Sequence, residues 1–121
     1  MRVLVIDDDS AFLGMVTAAL EEDGHAVVTA SDGRHGLLRA DDGHPDAIIL
    51  DLRLPDMDGW AVCRALKADP VMAAIPVIIL TAAASPTLKQ RAGEHGCAAF
   101  LLKPCYPEDL AQTVRQVLAA A

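Results

Sequence analysis

The sequence lacks long apolar runs, an excess of positive charge and a cysteine framework, and each absence excludes a class of protein. Its uninterrupted apolar runs are only a few residues long, whereas a membrane-spanning helix needs about 20. The formal net charge is −7, from 17 acidic and 10 basic residues, so we expect no direct binding to nucleic acid or to an anionic membrane. The three scattered cysteines (Cys63, Cys97 and Cys105) indicate reduced thiols in a cytoplasmic protein.

Signal-peptide and repeat patterns are also missing. The N-terminal MRVLVIDDDS runs directly into acidic residues, which is not typical of a signal peptide. Apolar residues make up 53% of the chain, enough for a packed core, which excludes disorder. Since domains usually contain about 100–150 residues, the 121 residues predict a single domain over 1–121.

Short apolar runs alternate with longer amphipathic stretches along the whole chain. The runs predict strands at 2–6, 26–29, 47–50, 77–80 and 99–102. The stretches between and after them predict helices at 9–23, 32–40, 59–68, 86–95 and 107–120. Near-continuous apolarity in the strands indicates a parallel sheet covered on both faces. The alternation therefore predicts an α/β, flavodoxin-like (βα)5 three-layer sandwich with strand order 2-1-3-4-5.

Two of the predicted helices carry particular expectations. The apolar face of the first helix is assigned to Phe12, Met15, Val16, Ala19 and Leu20, which leaves Leu13 off that face. The fourth helix is short and contains Gly93, so we expect it to be marginal and to depend on tertiary packing.

Polar residues follow the predicted strands where the strands end. Asp7 and Asp8 follow the first strand, Asp51 the third, Thr81 the fourth and Lys103 the fifth. The carboxyl ends of parallel strands lie at one edge of a sheet, so these groups should meet there. Two carboxylates about 4 Å apart repel by about 4 kcal/mol at an effective dielectric of 20. A hard cation with oxygen ligands, Mg²⁺, would relieve that repulsion.

Each of these residues also has a plainer interpretation. An acid at a strand end is usually a helix cap, so Asp8 or Asp9 could cap the first helix. Thr81 alone is an ordinary strand-end residue, and Lys103 alone is an ordinary surface lysine. Together they indicate a site for a phosphoryl group, with Asp51 placed to attack phosphorus and Lys103 and Thr81 placed to neutralise or bond its oxygens.

Four segments carry a family resemblance: VLVIDDD, DAIILDLRLPDMDG, PVIILTA and FLLKP. In this order and spacing they make the chain resemble, over essentially its whole length, the receiver domain of two-component response regulators. The resemblance implies that Asp51 is the phosphoacceptor. It also implies a Mg²⁺ site, in which Mn²⁺ can substitute, made by Asp7, Asp8, Asp51 and the backbone carbonyl of Arg53.

The resemblance assigns further roles beyond the metal. Thr81 and Lys103 would bind the phosphoryl group, with a cis peptide bond between Lys103 and Pro104. Thr81 and Phe100 would form the conformational switch. Arg53 and Ala83 occupy positions that tune dephosphorylation in the family, and neither suits orienting a water, so a long-lived phosphoryl group is expected. Gly59 is expected to supply a backbone conformation that other residues resist.

The implied partners are those of a signalling domain that catalyses only its own phosphorylation and dephosphorylation. The phosphoryl donor would be a sensor histidine kinase or a histidine phosphotransfer protein, docking on Leu13, Pro104 and Tyr106. An output domain or partner protein would bind the face formed by helix 4, strand 5 and helix 5. A homodimer that forms on phosphorylation is a further expectation.

Two alternatives stay open at this point. The first is an aspartyl-nucleophile phosphatase of the haloacid dehalogenase type. Such enzymes usually need a general acid two residues after the nucleophile and a cap domain, and here Arg53 and the short chain disfavour that. The second is an interaction module that keeps the fold without phosphorylation, which the presence of all the expected site residues disfavours.

Overall fold

Parallel strands form the centre of the protein. A computed structural model describes residues 1–82 and 85–121, and within them the chain forms one five-stranded sheet. The strands are β1 (Arg2–Ile6), β2 (Ala26–Ala30), β3 (Ala47–Asp51), β4 (Val77–Thr81) and β5 (Ala99–Leu102). Every pairing is parallel and the order is β2-β1-β3-β4-β5, which confirms the predicted flavodoxin-like fold.

Helices connect the strands and cover both faces of the sheet. They are α1 (Ser10–Glu22), α2 (Gly33–Gly43), α3 (Gly59–Ala68), α4 (Leu88–Glu94) and α5 (Pro107–Ala120), with a short 3₁₀ turn at Met72–Ala74. Helix α4 is shorter than the predicted 86–95, and none of the described side chains caps its N-terminus. No helix in the described residues is long and apolar enough to span a membrane.

Two apolar clusters, one on each face of the sheet, form the core. On one face Leu4 and Ile6 pack with α2, α3 and α4. On the other face Val3 and Val5 pack with α1 and α5. Alternate residues of β1 thus serve opposite clusters, because successive side chains of a strand point to opposite faces.

Burial differs sharply between the middle and one edge of the sheet. Every residue of β3 and β4 is buried. In β5, by contrast, the first three residues are half-buried and Leu102 is exposed. Within residues 1–82 and 85–121, β5 pairs only with β4, so no other described strand lies on its outer side.

The apolar face predicted for α1 includes one residue that is exposed and omits one that is half-buried. Met15 is 38% exposed, whereas Leu13 is half-buried and packs against the cluster formed with α5. The fully buried residues of α1 are Val16 and Leu20. Leu13 lies three residues before Val16 and so shares its side of the helix, while Met15 is turned by about 100° from Val16.

Candidate functional site

Three carboxylates meet at the carboxyl edge of β1 and β3. One oxygen each of Asp7, Asp8 and Asp51 lies within 4.8 Å of the others. Register explains this proximity, because Ile6 pairs with Leu50 and the next residues are Asp7 and Asp51. Asp7 is 1% exposed and Asp51 7%, whereas Asp8 faces solvent. The strand-end prediction for these three residues therefore matches the arrangement of the sheet.

Backbone amides orient the two buried carboxylates. Oδ1 of Asp7 accepts a hydrogen bond from the Asp9 amide at 2.9 Å. Oδ1 of Asp51 accepts one from the Arg53 amide at 3.1 Å. In each case the second oxygen, Oδ2, is the one that contacts the ammonium of Lys103. Asp9 itself caps α1 by accepting from the Phe12 amide at 3.1 Å, so the capping role belongs to Asp9.

The ammonium of Lys103 joins both buried carboxylates. Its Nζ donates to Oδ2 of Asp7 at 2.6 Å and to Oδ2 of Asp51 at 3.2 Å. The backbone amide of Lys103 donates to the Thr81 carbonyl at 2.8 Å, which continues the β4–β5 pairing past the strand end. The peptide bond between Lys103 and Pro104 is cis.

Phe12 on α1 is a further neighbour of this ammonium. Lys103 Nζ lies 4.4 Å from the centroid of the Phe12 ring, within the range of a cation–π interaction. The sequence analysis placed Phe12 in the core and missed this contact. The signal was the position of Phe12 one helical turn after the acidic residues that follow β1, which turns its ring toward the same edge.

One ammonium among several carboxylates leaves the edge short of positive charge. Burial, together with the charge of Asp51, raises the pKa of Asp7 despite its hydrogen bond from Lys103. Burial alone would lower the pKa of Lys103, but the hydrogen bond and charge of Asp7 and the charge of Asp51 outweigh it, so that pKa is raised. Lys103 is therefore held firmly charged, while Asp7 carries a repulsion that a further cation would relieve.

Thr81 and the residues after it border the same edge. Thr81 is the last residue of β4, is completely buried, and pairs in register with Leu102. Ala82 follows it and is exposed. Ala83, which the sequence analysis linked to the dephosphorylation rate, lies outside the described residues.

The loop between β3 and α3 is held against the sheet and against α2. Arg53 pairs with Asp58 in an isolated antiparallel bridge. A Cβ atom on Gly59 would lie 2.5 Å from Leu52 Cα and 2.8 Å from the Asp51 carbonyl oxygen. Gly59 is thus needed for close backbone approach, and the expectation of an unusual backbone conformation there is wrong, because its φ is not positive.

Asp56, in the same loop, is a residue that the sequence analysis missed. Its carboxylate accepts hydrogen bonds from the amides of Gly33 at 2.7 Å and Arg34 at 2.9 Å. These bonds lower the pKa of Asp56. They also fasten the loop that carries the Arg53 carbonyl to the start of α2.

The remaining predicted residues surround this edge at different depths. Phe100 is half-buried and packs against the cluster on the α3 and α4 face. Tyr106 is 74% exposed and stands at the start of α5 without a side-chain cap bond. A depression beside Lys103 is lined by Phe12, Met15, Pro104 and Cys105, among others. Pro104 borders this depression, whereas Leu13, on α1 with Phe12 and Met15, packs inward.

The donor set fits a hard divalent cation. Asp7, Asp8 and Asp51 offer only carboxylate oxygens, and these oxygens are close enough to share one ion. Oxygen ligands in small number suit Mg²⁺, which keeps several waters. No histidine or cysteine belongs to this group, so within the described residues the cluster has none of the ligands that zinc favours.

Comparisons with known proteins bear on this fold and site. The chain is 36% identical to the transcriptional regulatory protein TcrA of Mycobacterium tuberculosis over 95% of this chain and 45% of that protein. It thus spans about half the length of that relative. Chemotaxis protein CheY4 of Vibrio cholerae superposes with a TM-score of 0.90 at 34% identity, covering 96% of this chain and 97% of that one.

A third comparison bears on the acidic edge. The receiver domain of sensor histidine kinase PA1611 from Pseudomonas aeruginosa, solved with a magnesium ion coordinated in its active-site cleft, superposes with a TM-score of 0.88 at 26% identity. It covers 98% of this chain and 97% of that one. Residues 3–115 match the family model of the response regulator receiver domain. The chain therefore belongs to the response regulator receiver family, whose role is phosphoryl transfer to an aspartate.

Proposed function

We propose that residues 1–121 act as one receiver domain in which Asp51 accepts the phosphoryl group from a phosphohistidine of a partner protein. The single observation that carries this is the contact of Lys103 with both Asp7 and Asp51. It gathers the acceptor, an acidic pair and a fixed ammonium at one edge. In the transfer, a carboxylate oxygen of Asp51 forms the new bond to phosphorus while the phosphorus–nitrogen bond breaks and its electron pair stays on the imidazole.

Mg²⁺ is the proposed cofactor, with Mn²⁺ able to replace it. Asp8, Asp51 and the Arg53 carbonyl would hold it directly, and Asp7 through water. When bound, it supplies positive charge to the phosphoryl oxygens and to the crowded carboxylates. The acidic cluster of this chain and the magnesium ion in the PA1611 receiver domain both support this assignment.

Lys103 and Thr81 would bind the transferred group. Lys103 already contacts Asp51 at 3.2 Å, so a small movement of its ammonium reaches an oxygen attached to that carboxylate. The Phe12 ring and Asp7 keep the ammonium near the edge while it shifts. The Thr81 hydroxyl would donate to another phosphoryl oxygen, and the Leu52 and Ala82 amides would assist.

The consequence of phosphorylation would appear on α4, β5 and α5. Phe100 is half-buried against a cluster that includes Leu88 and Ala92 of α4. Movement of Thr81 toward the phosphoryl group would open space for this ring to turn inward. An output domain or partner protein, or a second copy of the chain, would read the altered face. The name of TcrA is consistent with a transcriptional output in that relative.

The donor would be a sensor histidine kinase or a histidine phosphotransfer protein in the cytoplasm. We assign its docking to the depression beside Lys103, with Pro104, Tyr106 and the nearby surface of α1. Phe12 and Met15 join the predicted docking residues because they line this depression, and Leu13 contributes by supporting α1 from below. Leu13→Asp should impair transfer from the partner, whereas unchanged transfer would show that docking does not need Leu13 to support α1.

The decisive experiment is mass spectrometry after incubation with acetyl phosphate and Mg²⁺. The wild type should gain one phosphoryl group on Asp51, and Asp51→Asn should gain none. Asp41→Asn is the matched control, since Asp41 is exposed on α2 and does not belong to the acidic cluster, so that labelling should stay intact. Labelling that survives in Asp51→Asn would contradict the proposal.

The same experiment separates the alternatives and tests the phosphoryl lifetime. A phosphatase would turn over donor without a persistent adduct, and a module that needs no phosphate would show neither label nor turnover. Arg53, two residues after Asp51, has no acid or amide to orient an attacking water. We therefore expect the adduct to persist for longer in the wild type than in Arg53→Gln.

A further inference from the structure

The loop 52–58 between β3 and α3 is closed at its base. The Gly59 amide donates to the Leu52 carbonyl at 2.9 Å. Arg53 pairs with Asp58 in an isolated antiparallel bridge. These contacts fix the base of the loop on β3 and α3. Because they all lie at the base, the direction in which the tip of the loop points depends on other contacts.

The tip of the loop is fastened to α2 by the Asp56 carboxylate. Its Oδ1 accepts a hydrogen bond from the Gly33 amide at 2.7 Å, and its Oδ2 accepts one from the Arg34 amide at 2.9 Å. Amides in the first turn of a helix have no partner inside the helix, so they are free to bind this carboxylate. Met57, the next residue of the loop, packs on the same turn, because a Cβ atom on Gly33 would collide with Met57 Cγ.

Helix α2 in turn lies directly on β1. Gly36 of α2 is buried, and a Cβ atom there would lie 2.5 Å from Ile6 Cδ1. Ile6 is the last residue of β1, and Asp7 follows it. Through α2, Asp56 therefore connects the loop that carries Arg53 to the strand that carries Asp7. The two halves of the acidic edge, one after β1 and one after β3, are joined by this contact.

The base of the loop also reaches the proposed phosphoacceptor. The Arg53 amide donates to Oδ1 of Asp51 at 3.1 Å. The amide and the carbonyl of Arg53 belong to one residue, so a loop released from α2 would weaken this bond and displace the carbonyl together. The exchange of the Arg53 amide with solvent therefore reports on the position of the loop even when no metal is bound.

A second carboxylate at the start of α2 provides a natural comparison. Asp32 accepts from the His35 amide at 2.7 Å and contacts Nδ1 of the His35 ring at 2.7 Å. The hydrogen bonds that the structure describes for Asp32 all stay within this first turn. Hydrogen bonds from backbone amides lower the pKa of both Asp32 and Asp56, so both are ionised at neutral pH. The two acids share a charge and a helix end, but only Asp56 belongs to the loop.

We propose that Asp56 is a positioning residue for the metal site, holding the loop so that the Arg53 carbonyl completes the ligand set of Asp8 and Asp51. This inference rests on the proposed function, which assigns that carbonyl to Mg²⁺. Asp56 is not one of the acids whose oxygens meet at the edge, so it acts through Arg53. Removing a residue that orients a metal ligand typically weakens metal binding by about 10- to 100-fold.

The test compares Asp56→Ala with Asp32→Ala in the full chain. Each variant loses one carboxylate from the same helix end, and only the first releases the loop. Mn²⁺ is the probe, because electron paramagnetic resonance measures its free concentration directly. Asp56→Ala should raise the dissociation constant about tenfold, and Asp32→Ala should leave it near the wild-type value. Asp56→Asn, which keeps one of the two acceptor oxygens, should lie between Asp56→Ala and the wild type.

A second measurement uses the metal-free chain in chelator. Amide exchange followed by nuclear magnetic resonance should be faster at Arg53 in Asp56→Ala than in the wild type. Asp32→Ala should leave the exchange at Arg53 unchanged while it speeds exchange at His35, which loses its acceptor. Equal exchange at Arg53 in the wild type and in Asp56→Ala would show that the loop holds its position without Asp56, and would overturn the proposal.

The outcomes of the titration separate this inference from the proposed function. A wild type that binds no Mn²⁺ would overturn both. Binding by the wild type, with equal dissociation constants in Asp56→Ala and Asp32→Ala, would overturn the role of Asp56 alone.

Labelling with acetyl phosphate distinguishes an effect on the metal site from damage to the acceptor. Asp56→Ala should be labelled more slowly than the wild type at limiting Mg²⁺. It should approach the wild-type rate at saturating Mg²⁺, because the loop is then held by its metal-bound carbonyl. Slow labelling at every Mg²⁺ concentration would contradict a role through the metal site.

Discussion

The middle of the sheet and its β5 side differ in how deeply the strands are buried and in how the adjacent helices are capped. β3 is buried at every position, and α3, which follows it, begins with a side-chain cap in which the Asp58 carboxylate accepts from the Trp60 amide at 2.9 Å. On the other side, β5 is only half-buried, and the seven-residue α4 has no cap from any side chain that the structure describes. The proposed phosphoacceptor Asp51 and its acidic neighbour Asp7 lie in the first region, and the proposed response occurs in the second.

This contrast suggests why one small domain can both hold a reactive site and change shape. Pre-organised carboxylates need a scaffold that does not move, and β1 and β3 provide it. A face that responds to a covalent change must have alternatives close in free energy, and weakly buried elements with few caps provide those. Position in the sheet, central or at the edge, therefore decides the role of each element.

The largest expected effect comes from shortening one leucine in each region, which tests the difference in burial between the two regions directly. Leu50 of β3 is completely buried, and Leu102 of β5 is 44% exposed. Leu50→Ala should lower the free energy of unfolding by about 3 kcal/mol because it leaves a cavity. Leu102→Ala should cost about 0.5 kcal/mol or less. Urea denaturation measures both, and similar losses would refute the comparison.

Magnesium should act on the central region. An ion that binds only the folded chain should stabilise it by about 2.7 kcal/mol at a hundredfold excess over its dissociation constant. Thermal melts with and without Mg²⁺ measure the gain. Asp8→Asn should lose most of it, whereas Asp9→Asn, whose residue caps α1, should shift the baseline and keep the gain. Equal gains in the two variants would argue against a metal site at Asp8.

The helix caps provide a smaller and more local test. Asp58→Ala should lower the free energy of unfolding by about 1 kcal/mol, because the first turn of α3 loses its carboxylate acceptor. Thr87→Ala should have almost no effect, since Thr87 makes no cap bond to α4. Chemical denaturation of the two variants compares them. A cost at Thr87 that matches the cost at Asp58 would mean that α4 is anchored as firmly as α3.

The smallest expected effect concerns the negative charge of the ionised Asp7 carboxylate. Its folded-state pKa lies above its ordinary value, so ionised Asp7 destabilises the metal-free fold. Asp7→Asn should raise the melting temperature by about 2 °C near neutral pH, because losing the Lys103 contact offsets part of the relieved repulsion.

The pH dependence supplies the control for the Asp7 prediction. The gain in melting temperature from Asp7→Asn should grow as pH rises through the range in which Asp7 of the wild type ionises. It should vanish in acid, where the protonated carboxyl of the wild type and the amide of the variant are both neutral. Differential scanning calorimetry in chelator follows this trend. A variant that melts below the wild type at neutral pH would count against a strained acidic edge.

Most of the fold follows from patterns that the sequence displays openly. The predicted ranges 2–6, 59–68, 99–102 and 107–120 match β1, α3, β5 and α5, because apolar runs and breaking residues coincide there. The face of α1 was predicted wrongly since Leu13 and Met15 are equally apolar, and only the packing of α5 decides which one is buried. Periodicity alone does not contain that information.

The candidate site likewise contains contacts that the sequence predicts and contacts that depend on packing. Strand-end reasoning brings Asp7, Asp51 and Lys103 together because parallel strands place their carboxyl ends at one edge. The contact of Phe12 with Lys103 depends on how α1 packs against the turn after β5. The position of Phe12 one helical turn after the acidic residues places its ring near this edge, but only the fold shows that the ammonium of Lys103 reaches it.

The ion pair between Lys103 and Asp7 spans 96 positions of the chain. Because a protein emerges from the ribosome starting at its N-terminus, the acidic strand ends are made long before their balancing amine. Until residue 103 has left the exit tunnel, a nascent chain has no internal counter-charge from this lysine and no complete pocket for an incoming phosphate. Signalling competence is therefore a late event of biosynthesis, and a ribosome stalled midway would display a chain that cannot yet take part in it.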